Sequence, residues 1–311
     1  MSKEKVATPK RKGRPINSVS LTTEIIIYIV LGLFCLACII PVIFVIIISF
    51  TSEKSISEVG YSFMPTEWSI SAYQYVFKMG DVIWRSYFNS FVITIVGTAL
   101  SVLMTVLYSY PLFRKDFKYR RFFTFFSFFT MMFGGGLAPT YVVCKTLLHL
   151  SDSYAATIVP LLLNPFNIII MRTFFISSVP EELIDAAAID GSGEYTTLFK
   201  IVVPVSKPGI ATIGLLNALA YWNEWFTPML YVRDTDYFPL QLLLVRMQRN
   251  AEFLAKNSSV MGAEAIKAVQ NLPTLSLRMA VVVLIVVPIA CAYPFFQRFI
   301  ISGLTVGSVK G

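Results

Sequence analysis

Six stretches without charge alternate with charged ones along this chain, and their lengths suit membrane crossings. Residues 25–52, 86–113 and 122–144 form the first three. Residues 153–171, 208–232 and 279–297 form the other three, the fifth interrupted by Asn223 and Glu224. A crossing helix needs about 20 predominantly apolar residues, so each run is read as one tilted span. The sequence therefore predicts an all-α membrane protein with six transmembrane helices in one permease-sized domain, residues 21–303. A basic tail (1–20) precedes it and a short tail (304–311) follows. Prolines and amides inside the fourth run (Pro160, Asn164, Pro165, Asn167) are tolerated where they face protein or water.

An even number of spans puts both termini on one side, and the basic residues choose which. With the N-terminus inside, sixteen Lys and Arg lie inside and ten outside. The inner ones crowd into short segments: six in the N-terminal tail and five in the knot Arg114, Lys115, Lys118, Arg120 and Arg121. Positive charge in short loops marks the cytoplasmic side. Both termini and the loop of residues 178–208 are therefore expected in the cytoplasm. The N-terminal lead is too long and basic for a standard signal peptide and shows no small-residue cleavage site.

That loop is the most structured polar stretch. Ser178 and Glu181 stand at capping-box spacing, Pro180 suits a first helical turn, and Glu181 and Glu182 favour the positive end of a helix dipole. Ala186, Ala187 and Ala188 combine helix propensity with low bulk, which lets another surface approach closely. Gly191 and Gly193 flank a turn in which Ser192 is placed to cap a second helix. Pro204 and Pro208 end the loop. The reading is a short helix, a glycine break and another short helix.

The order Asp185-Ala186-Ala187, then Gly191, then Ile201-x-Val203-Pro204 resembles the EAA loop of ATP-binding-cassette (ABC) importer permeases, with Asp for the usual Glu and Val for the usual Leu. The resemblance implies the type I ABC importer permease fold. It also implies that this loop docks on a separate ATPase, with Glu181, Glu182, Asp185, Ala186, Ala187, Asp190, Gly191, Phe199 and Pro204 as coupling residues. The implied partners are a second homologous permease, two ATP-binding-cassette ATPases that hold ATP and Mg, and an extracellular solute-binding protein, all at a bacterial cell membrane. The segments 135–141, 233–244 and 297–311 resemble a subgroup of carbohydrate importers for complex oligosaccharides. The outer segment 233–275 then suggests a dock for the binding protein.

Composition changes this picture little. The chain is 56% hydrophobic and 14% charged, against about 25% charged for a soluble domain. Its net charge of +8 follows membrane orientation and forms no nucleic-acid face. Cys35 and Cys38 form a C-x-x-C inside an apolar run, where packing is the expected role. The single histidine, His149, supports neither a metal cluster nor His-based catalysis, and no P-loop lysine follows Gly134-Gly135-Gly136. The chain is expected to be a transport subunit with no catalytic residue, metal or cofactor of its own.

For the substrate path the candidates are Asn217, Tyr221, Trp222, Asn223, Glu224 and Trp225 on the fifth run, with Asn164 and Asn167 on the fourth. Asn217, Tyr221, Glu224 and Pro228 would share one face of a continuous helix. Flat aromatic rings and amides suit a sugar, and an ionisable group at membrane depth tends to face a cavity or a partner. An interfacial aromatic belt is the competing reading, and Asn164 and Asn167 fit helix–helix hydrogen bonds equally well. A secondary transporter or channel without an ATPase is the alternative function, although no inverted repeat supports it.

Overall fold

The computed structural model describes residues 20–78, 80–257 and 274–308. The N-terminal tail through residue 19, residues 258–273 of the outer segment, and residues 309–311 lie outside the described part.

Among the described residues three helices are long and apolar enough to cross a membrane unaided: α1 (Leu21–Ser49), α4 (Asp81–Phe113), and the Leu275–Ala292 part of the last helix. Between α1 and α4 lie two short helices, α2 (Glu53–Val59) and α3 (Ser71–Lys78). The side chains of α1 are apolar all round and almost all exposed, as suits a helix set in lipid. Ser20 caps its N-terminus by accepting from Thr23 N–H (3.2 Å).

Two of the other runs are bent, and ahead of the fifth an 84° break at Ser206 separates Glu194–Val205 from Lys207–Trp222. The third divides into α5 (Arg120–Met132) and α6 (Leu137–Val142), which continues through a π turn to Leu147, with a 110° bend between them. Gly134-Gly135-Gly136 makes the break, and Gly136 has φ +85°, where a side chain would be strained. The fourth divides into α7 (Tyr154–Ile158), with a 3₁₀ turn to Leu161, and α8 (Pro165–Ser178), bent by 55°. Asn164 accepts from Phe166 N–H (2.9 Å), and Pro165 stands at the first helical position, which loses no needed donor. At 13 and 14 residues, α5 and α8 are each about 20 Å long, short of the hydrocarbon core. Six crossings are reached only when each bent pair counts as one.

The 178–208 loop contains α9 (Glu181–Ile189), α10 (Glu194–Thr197), a π turn Leu198–Val202 and a helical turn α11 (Val203–Val205). Then come α12 (Lys207–Trp222), α13 (Phe226–Tyr231), α14 (Leu240–Asn257) and α15 (Thr274–Ser308). Helix α4 is the central post: α8 and α12 pack against it, and α15 packs against α12 and α1. Near the α9 end, Val106 and Tyr110 of α4, Met171 and Phe175 of α8, and Ile213 of α12 form one buried cluster with Ile184 of α9 and Val202.

At the far end of α4 one buried amide holds the start of the outer segment. Asn89 donates to Asp236 C=O (2.8 Å) and Phe238 C=O (3.0 Å) and accepts from the Tyr154 hydroxyl (2.8 Å). Ser90 Oγ accepts from Leu240 N–H (2.8 Å), and Arg85 pairs with Asp236. Asp152 accepts from Arg233 N–H (2.6 Å) and Asp234 N–H (2.9 Å). Those two N–H groups hold the Asp152 carboxyl below its usual pKa, so this clasp is intact at neutral pH and loosens as pH falls into the carboxylate range. Asn89→Ala is expected to cost about 2–4 kcal/mol, because it orphans two carbonyls and a tyrosine hydroxyl. A lowered apparent Tm in detergent, with faster proteolysis at residues 233–240, is the readout; an unchanged Tm would refute the latch.

Candidate functional site

Helix α9 has two unlike sides. Ile184 and Ala187 are buried against the chain's own core, whereas Glu181, Glu182, Asp185, Ala186 and Asp190 are exposed and Ile189 is 86% exposed. Ala187 is thus corrected from a docking contact to a packing residue: its small side chain lets α9 lie close on the helix bundle. Gly191 sits at φ +71° and turns the chain, with Ser192 N–H donating to Ala187 C=O (2.9 Å). Tyr195 is 76% exposed, and Phe199 and Pro204 are also on the surface. Every coupling candidate except Ala187 is therefore exposed on the loop.

Two local expectations are corrected. Pro180, not Ser178, occupies the cap position of α9 and makes no side-chain cap bond; Glu181 instead pairs with Lys115. Gly193, not Ser192, caps α10, again without a side-chain bond. In both places the first helical residue, Glu181 or Glu194, has a longer-range partner.

That partner is the basic knot, which sequence reasoning used only for orientation. Arg114 forms a two-pronged pair with Asp116 (2.9 and 2.7 Å) and reaches Glu194 (3.2 Å), which also accepts from the Tyr110 hydroxyl (2.6 Å). Its bond to Asp116 raises the Arg114 pKa further, and Arg114 in turn holds Asp116 below its usual range. Both halves of the loop are thereby tied to the end of α4, through Lys115–Glu181 and Arg114–Glu194. Opposite charge in two short segments was the available signal.

The substrate-path candidates separate into two groups. Asn167 donates to Asn217 (2.9 Å) inside the packing of α8 on α12, and both are buried. The Tyr221 ring lies on Gly97, and its hydroxyl meets Ser101 Oγ (2.9 Å) and Ile158 C=O (3.0 Å). Trp222 donates to Ile285 C=O (3.3 Å) and packs edge-on against Phe91. These four join helices within the chain, and Trp222 also borders an apolar cavity of about 430 Å³ together with Phe91, Ala218 and Leu219. Asn164 and Asn223 are exposed, and Glu224 and Trp225 are half-buried.

The common helix face for Asn217, Tyr221, Glu224 and Pro228 is also corrected, because α12 ends at Trp222. Pro228 has no N–H, and in a continuous helix its ring would collide with the Glu224 carbonyl. The chain breaks at residues 223–225, Asn223 folds back to donate to Leu219 C=O (2.9 Å), and Glu224 accepts from Thr227 N–H (2.7 Å). Among the described residues no group of three His, Cys, Asp or Glu could hold a metal.

Comparison with known proteins places this architecture. Residues 94–306 match the family of binding-protein-dependent transport system inner membrane components. The polygalacturonan/rhamnogalacturonan transport system permease protein YtcP of Bacillus subtilis is 38% identical over 93% of this chain and 98% of its own length. The arabinooligosaccharides transport system permease protein AraQ of Halalkalibacterium halodurans is 30% identical over 97% of this chain and 100% of its own. A chain from the crystal structure of a bacterial ABC transporter involved in import of the acidic polysaccharide alginate superposes with TM-score 0.76 at 29% identity. It covers 92% of this chain and 99% of that one. The matched family and these relatives agree on one assignment. The chain belongs to the binding-protein-dependent transport system inner membrane components, multi-pass membrane permeases rather than enzymes.

Proposed function

We propose that this permease serves an ABC importer of a carbohydrate, an oligosaccharide derived from a complex polysaccharide. It would pair with a second homologous permease, two ATPase subunits holding ATP and Mg, and an extracellular binding protein. Support for the substrate class comes from the relatives, named for polygalacturonan/rhamnogalacturonan and arabinooligosaccharides, and from the alginate importer that shares the fold. The carrying observation is the two-sided α9: an exposed face of acids and Ala186, on a helix whose other side is sunk into the core shared by α4, α8 and α12. Such a loop transmits a push without absorbing it.

Glu181, Glu182, Asp185, Ala186, Asp190, Gly191, Phe199 and Pro204 form the docking surface in this reading, which places the loop and both termini in the cytoplasm. Asn164, Asn223, Glu224 and Trp225 are the path candidates that remain accessible, while Asn167, Asn217, Tyr221 and Trp222 hold the path's walls together. ATP-driven approach of the two ATPases would draw the paired loops together, and the permease shifts between its two states by the difference in their binding energies.

Because Ala187 is buried, the informative crosslinking position is Ile189. Ile189→Cys, in a chain co-expressed with its transport-system ATPase, is expected to crosslink to that subunit and to resist a membrane-impermeant thiol reagent in intact cells. Labelling from outside, or no crosslink at any spacer length, would overturn the reading.

A further inference from the structure

Beside the loop surface lies a second feature that the coupling role does not use. A cleft of about 960 Å³ opens where the 114–121 segment, the start of α5 and the middle of α8 meet. Five cations line it, Lys115, Lys118, Arg120, Arg121 and Arg172, against one acid, Asp116. Asp116 is occupied by Arg114, and Lys115 by Glu181. Among the described residues no carboxylate comes within ion-pair distance of Lys118, Arg120, Arg121 or Arg172. Arg172 spends its Nε on Leu112 C=O (2.9 Å) and lines the cleft.

The other wall is apolar. Phe125, Phe128 and Ile169 line the cleft, and it runs into the exposed phenylalanines of α5, a helix without charge beyond Arg121. Clustered cations of one sign repel one another and are costly to hold together without an anion. A cationic mouth that continues into an aromatic, membrane-facing groove matches a ligand with a phosphate head and a hydrocarbon tail. A free phosphate would use the mouth and leave the groove without a role.

We propose that this cleft binds an anionic phospholipid of the leaflet on the α9 side. Its phosphate is held by Arg120, Arg121 and Arg172, and an acyl chain lies along Phe125, Phe128 and Ile169. Lys115 borders the cleft and also holds Glu181 of α9, so the bound lipid sits directly beside the loop. The site rests on membrane insertion of α5 and stands whether or not α9 docks an ATPase.

The test is native mass spectrometry of the full-length permease in detergent, titrated with phosphatidylglycerol or phosphatidylcholine. Phosphatidylglycerol is expected to bind preferentially, and an excess of inorganic phosphate to leave it bound. Each cation near a membrane surface is worth roughly a fivefold change in affinity, so Arg120→Gln with Arg121→Gln should weaken phosphatidylglycerol by more than about tenfold. Lys54→Gln with Lys78→Gln removes equal charge far from the cleft and should change nothing. Phe128→Ala, which keeps every charge, should weaken the lipid but not the binding of inorganic phosphate. Equal binding of the two lipids would overturn the proposal. So would displacement by inorganic phosphate, or equal losses in the two charge variants.

Discussion

Gly209→Ala is expected to destabilise this permease by at least about 2–3 kcal/mol, although alanine is the better helix former by about 1 kcal/mol. Gly209 lies in the first turn of α12, where that helix crosses α8. A Cβ there would sit 2.6 Å from Phe174 Cγ and 2.8 Å from Phe174 Cβ. Cβ is fixed by the backbone of α8, so no rotamer change of Phe174 relieves the contact. The helices must move apart, next to the cluster that holds Met171, Phe175 and Ile213. The measurement is apparent Tm and monodisperse yield in detergent. Gly209→Ala as stable as the parent would show that α8 and α12 do not approach this closely. Gly97 offers a contrast: a Cβ there meets the tip of the Tyr221 ring at 2.8 Å, and a tip is movable once its hydroxyl bonds are given up.

The second large effect is functional and leaves the fold intact. Ala186→Arg places a long cation on the exposed side of α9, where neither Ile184 nor Ala187 is disturbed. Transport is expected to fall by more than about tenfold while stability changes by less than about 0.5 kcal/mol, the usual range for surface substitutions. Uptake by whole cells, together with co-purification of the ATPase, reads this out. Full uptake with the arginine present would remove α9 from the coupling surface. Ala187→Arg is the internal comparison, expected to unfold the loop because that side chain points into the core.

These two glycine and alanine sites mark what the sequence could and could not convey. The helix–glycine–helix loop was legible because its punctuation is local: prolines at 180 and 204, a left-handed glycine at 191, alanines between. The six apolar runs were legible by length, whereas the size of their bends was not. Hydrophobic length alone does not report the 110° turn at Gly134–Gly136, the 55° turn at Asn164-Pro165 or the 84° turn at Ser206. Pro228 was visible and would have ended the proposed face at Glu224. Asn89 was not legible at all. An amide in an uncharged run becomes a latch only once residues 236–238, far along the chain, are folded beside it. The ion pairs of Arg114 and Lys115 lie between these cases, since the charges were evident and only their pairing needed three dimensions.

The double tether of the loop has a mechanical consequence. With Glu181 and Glu194 both fastened to residues just past α4, and Ile184 wedged among α4, α8 and α12, the loop has no slack of its own. In the proposed coupling role, a displacement imposed on α9 would pass to α4, α8 and α12 chiefly through the buried Ile184 contact, like a handle set into its shaft. Flexure is then left to the breaks at the two ends of α12, the 84° one at Ser206 and the proline-enforced interruption after Trp222. Stiffening those breaks, rather than weakening the handle, is how stroke would be lost while grip survives.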